Sequence, residues 1–263
     1  MSAPIRRTAL AFLLAVFCGA AFAQAQKAPA AAGYEPQSGQ EGKDVVWIPT
    51  PQVVVDKMLD MARVGPRDFV MDLSSGDGHT VITTARRGAR AVGVEYNPDM
   101  VEFSRKNAEK AGVADKASFM KADLFETDFS RATVITMFLL PDINLKLRPK
   151  ILDLKPGTRI VSNSFTMGDW HEDEKAELGS NAGCTVSWCT ALLWIVPAKV
   201  AGTYALPQGE LTLKQQYQML TGSLRSDGKT YALEGRVRGE EINFTAGGKR
   251  YSGRMNGKSL ELR

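Results

Sequence analysis

Asp72, Glu95 and Asp123 are spaced 23 and 28 residues apart, and each closes or follows a short apolar run: FVMDL, AVGVE and ASFMKA. Apolar runs of this length, bounded by turn signals, are the pattern of buried strands. The spacing therefore predicts three carboxylates at the C-terminal ends of three successive strands. Between Asp72 and the helix-like HTVITTARRGA lies the turn SSGDG, in which Gly76 and Gly78 let the backbone come close to a ligand. The first amides of the helix would face that ligand unpaired. Such a set suits a nucleotide-like molecule carrying hydroxyls and amines.

Phosphate chemistry fits poorly. A dinucleotide fingerprint needs a third glycine where this chain has Val81, and the Asp72 carboxylate would repel a pyrophosphate. No Gly-Lys-Ser/Thr follows this loop, which excludes a P-loop there. The same carboxylate makes sense if the ligand ends in an amino acid. S-adenosyl-L-methionine has an ammonium and a sulfonium at one end and a ribose and adenine at the other. Asp72 would attract the ammonium, directly or through water. Glu95 is placed to accept from both ribose hydroxyls, and Asp123 from the adenine amino group. A single carboxylate could be a mere strand cap, but three in order argue against that reading. No serine-nucleophile elbow is present. With only His79 and His171 and no close Cys/His cluster, no metal site is assigned.

The elements that must position these residues alternate. FVMDL, AVGVE, ASFMK, TVITMFLL and RIVSNSF read as strands, separated by HTVITTARRGA, by PDMVEFSRKNAEKAG capped at Asn97-Pro98, and by the Leu/Ile-bearing DINLKLRPKILDL. This predicts an α/β, Rossmann-like doubly wound sheet with helices on both faces. Ahead of it, QVVVDKMLDMARV reads as a helix with Thr50 as N-cap and Pro51 at its first position. TVSWC and ALLWIVP are strand-like without a helix between them, so an antiparallel pair is expected to close the sheet. From about Lys199 the texture becomes short alternating runs (GTYAL, ELTLKQQYQ, GSLRS, KTYALEG, EEINFTA, KRYSGRM, KSLELR). Hairpin pairs at Asp227-Gly228, Gly247-Gly248 and Asn256-Gly257 predict a small antiparallel β unit, a sheet or partial barrel.

At this point DLSSGDG, GVEYNP, ADLFETDFS, TVITMFLLP and the stretch from Phe165 to Trp170 resemble a seven-strand class I methyltransferase. More narrowly, they resemble the lysine methyltransferases of the ATP synthase c subunit and the adenine nucleotide translocase, over about residues 45–170. The likeness implies a methyltransferase acting on a protein lysine, with a small-molecule acceptor as the other option. It implies Ser74, Leu124 and Thr50 beside Asp72, Gly76, Gly78, Glu95 and Asp123 at the cofactor, with Trp47 and Thr50 as a lid. It implies Phe138, Leu140 and Pro141 at the acceptor, where Asp142 either orients an amine or caps the next helix. The chain departs from the family pattern at Ser74, where Gly is usual, and at His79, where Arg is usual. Asp169-Trp170-His171-Glu172 is read as a solvated loop.

The chain has 263 residues, 44% of them hydrophobic, which is ample for a core. Its charge of +4 falls to +2 without Arg6 and Arg7, and no run of five basic residues appears, so no nucleic-acid partner is expected. Residues 1–23 (MSAPIRRTALAFLLAVFCGAAFA) read as a signal peptide, with a basic start, a short apolar stretch and the small-x-small ending Ala21-Phe22-Ala23. That places the chain in the periplasm or outside the cell, with no stable membrane span after processing. An uncleaved N-terminal anchor is the alternative. Residues 24–44 read as a linker, 45–197 as the methyltransferase domain and 198–263 as the β domain. Of three cysteines, Cys184 and Cys189 would remain after cleavage, as a disulfide or as two buried thiols. Export away from the supply of cofactor raises a competing reading, a non-catalytic binding protein on a methyltransferase shell. Oligomeric state is not legible.

Overall fold

The computed structural model describes residues 34–263 apart from 208 and 258, so the expected signal segment and residues 24–33 lie outside the described residues. The first sheet has seven strands: β1 (Phe69–Leu73), β2 (Arg90–Glu95), β3 (Ala117–Lys121), β4 (Val134–Met137), β5 (Arg159–Asn163), β6 (Glu174–Glu177) and β7 (Thr190–Ile195). Their spatial order is β3-β2-β1-β4-β5-β7-β6. The first five are mutually parallel, while β7 runs antiparallel to β5 and to β6. β1, β4 and β5 are almost wholly buried because helices cover both faces.

On one face, α1 (Gln52–Met61), α2 (His79–Arg86) and α3 (Pro98–Lys110) share a core with Val70, Ala91, Val134 and Val161. On the other, α4 (Pro141–Leu152) packs Ile143, Leu147 and Ile151 against Met71, Ile135 and Ile160. α3 begins where the sequence places it: the Asn97 side chain accepts from the Asp99 amide at 2.9 Å and Pro98 opens the first turn. α1 differs by one residue. Pro51, not Thr50, is its N-cap, and no side chain caps it. The Thr50 carbonyl instead faces a ring nitrogen of His79.

The closing pair also differs from expectation. The segment ALLWIVP supplies β7, but its partner is the polar stretch Glu174–Glu177 and not TVSWC. Strand β6 lies at the sheet edge with its side chains half-buried or exposed, so no apolar alternation marks it. Residues 185–189 instead close a loop, whose ends are joined by a Cys184–Cys189 disulfide.

The second sheet is an open meander of β8 (Gly202–Leu206), β9 (Gly209–Gln216), β10 (Met219–Ser226), β11 (Lys229–Arg238), β12 (Glu241–Ala246), β13 (Lys249–Asn256) and β14 (Ser259–Leu262), each paired with the next. The expected turns at Asp227-Gly228 and Gly247-Gly248 occur, and the third hairpin turns one residue later than expected, with Asn256 still in β13 and paired with Ser259. A further reversal at Tyr217-Gln218, with Tyr217 at φ 53°, falls inside the run ELTLKQQYQ that reads as one strand. Turns built without Gly or Asn leave little local signal.

The stretch read as a solvated loop is where the meander docks. Trp170 is fully buried, stacked on Tyr217 at 6.1 Å and tilted against Trp194 at 6.4 Å. Asp169 accepts from the Tyr217 hydroxyl, and the His171 carbonyl accepts from Gln218. Asp173, its side chain 1% exposed, accepts from the Ile195 amide and pairs with Arg236 of β11. Residues 34–44 are no free linker either. Tyr34 meets Phe103 edge-on at 6.2 Å, and Gly39 and Gln40 exchange backbone hydrogen bonds with Trp47.

Candidate active site

The strand order reverses between β1 and β4: the chain leaves β3 at one side and re-enters on the other flank of β1. In open α/β sheets this switch point leaves a crevice beyond the strand ends. Asp72 of β1 and Thr136 of β4 meet there, the Thr136 hydroxyl donating to the carboxylate at 2.5 Å. Two adjoining hollows open from this point, sharing Val45, Trp47 and Ser74.

The first hollow is a slot lined by Glu95, Tyr96, Asn97, Met100, Asp123 and Leu124 under the segment from Gln40 to Val45. Glu95 is held by backbone: one oxygen accepts from the Gly76 amide at 3.0 Å, the other from the Asn97 amide at 2.9 Å. Each carboxylate oxygen has a second lone pair, so the group can still accept from two hydroxyls in the slot. Asp123 is oriented by the Phe125 amide at 2.8 Å. Its other oxygen forms an ion pair with Lys43, a residue the sequence does not mark as part of the site. An adenine amino group would have to share that oxygen with Lys43 or displace it.

The loop between the hollows is tightly built. A Cβ on Gly76 would lie 2.2 Å from the Trp47 indole nitrogen, and one on Gly78 would lie 2.7 Å from the Phe119 ring. Both glycines have positive φ, 52° and 81°. Ser74 also takes the left-handed conformation, φ 66°, which explains why glycine suits this position. The Ser75 hydroxyl is buried without a partner.

The second hollow is apolar and aromatic. Phe138 follows β4, Phe165 follows β5, and Trp188 comes from the disulfide loop. Phe138 stacks on Phe165 at 5.8 Å and lies 6.4 Å from Trp188. Phe165 is turned inward by Ser164, at φ 60°, and its carbonyl is held by Ser162 and Asn144. Trp47, Ile48, Pro49, Thr50 and Leu140 roof this hollow. Two expectations need correction. Asp142 is exposed in the first turn of α4 and does not line the hollow, and Pro141 begins that helix without reaching it. A residue placed one turn from a wall in sequence can point outward, because successive helix residues turn by about 100°.

Charge is concentrated where the two hollows meet. Burial pushes the Asp72 carboxyl up to about 7, against the pull of the Thr136 hydrogen bond and of His79. His79 has its Nδ1 2.6 Å from Asp77 and its Nε2 2.8 Å from the Thr50 carbonyl. Burial alone would lower its pKa, but the hydrogen bond and charge of Asp77, then the charge of Asp72, hold it above the ordinary histidine range. As an imidazolium it donates to both partners and ties the roof to the glycine loop.

A switch-point crevice with a diol-accepting carboxylate, an amine-attracting carboxylate and a glycine cradle defines a class I, S-adenosyl-L-methionine-dependent methyltransferase. The residues present fit that cofactor, since the cradle admits only glycine at Gly76 and the buried Asp72 carboxyl lines the hollow beside it. Known proteins show the same likeness. The ANTKMT methyltransferase domain matches residues 72–174. A protein-lysine N-methyltransferase of Saccharolobus islandicus is 46% identical over 133 residues, 49% of this chain and 83% of that protein. The lysine N-methyltransferase of the ATP synthase c subunit from Mus musculus is 34% identical over 128 residues, 48% of this chain and 51% of that one. A solved structure described as an RNA methyltransferase from Salinibacter ruber, in complex with S-adenosyl-L-homocysteine, is 47% identical. It covers 58% of this chain and 96% of that one, with a TM-score of 0.54. The chain belongs to this family of S-adenosyl-L-methionine-dependent methyltransferases, and it is an enzyme rather than a non-catalytic shell. The meander lies outside the matched residues 72–174.

When bound, the cofactor supplies an electrophilic methyl group on sulfonium. Glu95 and Asp72 are the residues that would hold its ribose and its ammonium end, Trp47 and Thr50 would roof it, and the aromatic hollow would exclude water.

Proposed function

We propose that this enzyme N-methylates a lysine side chain of a protein. One observation carries the reading: the hollow beside the cofactor loop is aromatic and mostly apolar, walled by Phe138, Phe165 and Trp188. A straight alkyl chain fits such a wall, and burial favours the neutral amine that must attack. Freeing that amine at pH 7 from a reference pKa near 10.4 costs roughly 4–5 kcal/mol in water, and an apolar site lowers the cost. The relatives named for lysine methylation support the same acceptor. The Salinibacter ruber neighbour carries the name of an RNA enzyme, but this chain has a net charge of only +4 and no basic run.

The reading extends to location. The basic start, short apolar stretch and Ala21-Phe22-Ala23 support export and cleavage near Gln24. No helix among the described residues is long and apolar enough to cross a membrane. Intact mass of protein from the native envelope tests this, and a chain starting at Met1 would refute cleavage.

The acceptor is tested by incubating the protein with methyl-tritiated S-adenosyl-L-methionine and native cell extract. Label should survive nuclease, be released by protease and appear as methyllysine on hydrolysis. Label released by ribonuclease would replace the lysine reading with an RNA one.

A further inference from the structure

Trp188 reaches the acceptor wall by an unusual route. It belongs to neither a strand nor a helix but to residues 184–189, a loop between β6 and β7 closed by the Cys184–Cys189 disulfide. The two cysteines are 4% and 9% exposed and belong to the core that contains Val54 and Met58 of α1. Between them, residues 185–187 are exposed, and only Trp188 turns back, half-buried, to face Phe138. Its side chain makes no hydrogen bond among the described residues, so neighbouring packing and the cross-link alone hold it. Phe138 and Phe165 differ in this respect, since they lie one and two residues past the ends of the parallel strands β4 and β5.

We propose that Trp188 contacts the methyl acceptor, packing on the alkyl stem of the incoming lysine, and that the Cys184–Cys189 cross-link positions it there. The proposal rests on the lysine reading above. A short loop joined at its ends has few conformations, and opening it restores them. Trp188 would then leave the wall in most of those conformations. The slot that holds Glu95 and Asp123 is lined by no residue of this loop, so binding there should be unaffected. A cystine in this place suits an oxidising compartment, and there it makes acceptor binding depend on a bond that cofactor binding does not need.

The test uses the full chain as wild type, Trp188→Ala, Trp188→Phe and the double variant Cys184→Ser/Cys189→Ser, each with and without a phosphine reductant. Reduction breaks the S–S bond with two electrons from the phosphine, and one water supplies both thiol protons and the oxygen of the phosphine oxide. Two probes are titrated: S-adenosyl-L-homocysteine by calorimetry, then n-butylamine, a mimic of the lysine stem, by ligand-observed NMR on protein saturated with S-adenosyl-L-homocysteine. S-adenosyl-L-homocysteine affinity should stay within about twofold throughout. Butylamine should bind about tenfold or more weakly to Trp188→Ala, to the double cysteine variant and to reduced wild type. Trp188→Phe should recover most of the affinity, and the phosphine should change nothing further in the double variant. Unchanged butylamine binding in Trp188→Ala or in reduced wild type overturns the proposal. So does a parallel loss of both probes, which would make the loop a general support. Butylamine that ignores oxidised wild type also overturns it. The labelling experiment uses none of these variants, so a lack of methyllysine there would sink the lysine reading separately.

Discussion

Two seven-stranded sheets share this chain, and they are built on opposite plans. In the first, parallel strands joined through helices and long loops bring one end of every parallel strand to the same side, and the side chains capable of chemistry collect there. In the second, each strand is hairpin-linked to the next, so strand ends alternate between the two sides. Its core of Leu211, Leu220, Leu233, Val237 and Phe244 is purely apolar. The first sheet holds a buried carboxylate raised to about 7, whereas the resolved shifts in the meander, at Tyr204, Tyr217 and Arg254, belong to half-buried or exposed groups. Parallel topology, rather than strand count, is what makes a crevice.

The joint between the sheets is the place to break that contrast. Trp170→Ala removes a fully buried indole stacked between Tyr217 and Trp194, and should cost about 3–5 kcal/mol in urea unfolding. The folded variant should still bind S-adenosyl-L-homocysteine within about twofold, because the joint is not part of either hollow. A loss under about 1 kcal/mol would mean that other contacts, such as Arg236 with Asp173, hold the meander.

Glu95→Ala probes the opposite end of the comparison. Losing the hydrogen bonds to the Gly76 and Asn97 amides should cost about 1–3 kcal/mol of stability, and the folded variant should bind cofactor about 1.5–3 kcal/mol more weakly, tens-fold or more, by calorimetry. Equal binding would mean that Glu95 serves only to fix the Gly76 and Asn97 amides.

The titrating groups of the first sheet predict a pH dependence the meander should lack. Asp72 is raised, so the folded protein keeps a proton that the unfolded chain has already released, and stability falls as pH climbs towards about 7. His79 is also raised. Its contribution is complete below its ordinary value and is lost as pH rises through the folded one. Both therefore lower Tm between about pH 5 and 8, and Asp72→Asn should flatten the slope. Below that window, Asp68, held low by its Gly65, Thr133 and Arg159 hydrogen bonds despite burial, loses its stabilisation as it protonates. A Tm that rises from pH 5 to 7.5 would contradict both assignments at Asp72 and His79.

The smallest effect is expected at Ser74→Gly. Relief of the left-handed serine, about 1 kcal/mol, is offset by the extra freedom of glycine in the unfolded chain. Stability should hold within about 0.5 kcal/mol, and S-adenosyl-L-homocysteine should bind equally or up to about fivefold more tightly. Weaker binding would identify the hydroxyl as a ligand contact instead of an obstruction.

Much of the first sheet and its site is legible in the sequence. The strand ends at Asp72 and Glu95, the Asn97-Pro98 cap and three of the hairpin turns are local signals, each carried by a few adjacent residues. Other features have none. Strand β6 is polar because it lies at an edge, the Tyr217 reversal lacks glycine, and Trp170 sits in a stretch whose neighbours Asp169, His171 and Glu172 are polar although its own ring is buried. Asp142 admits two readings in the sequence, at the acceptor or at the start of a helix, and the structure places it exposed in the first turn of α4.

By itself the sequence determined the five parallel strands, the helices between them and the carboxylates at or beside their ends, because hydrophobic period, caps and turn residues act over one or two turns of chain. Only the tertiary structure decided that Lys43 reaches Asp123, that His79 meets Thr50, and that Phe138, Phe165 and Trp188 form one wall. Those pairs are separated by 80, 29, 27 and 23 residues. Their meeting depends on how helices cover a sheet and where a disulfide closes a loop, the summed outcome of many weak contacts that no short window of sequence contains.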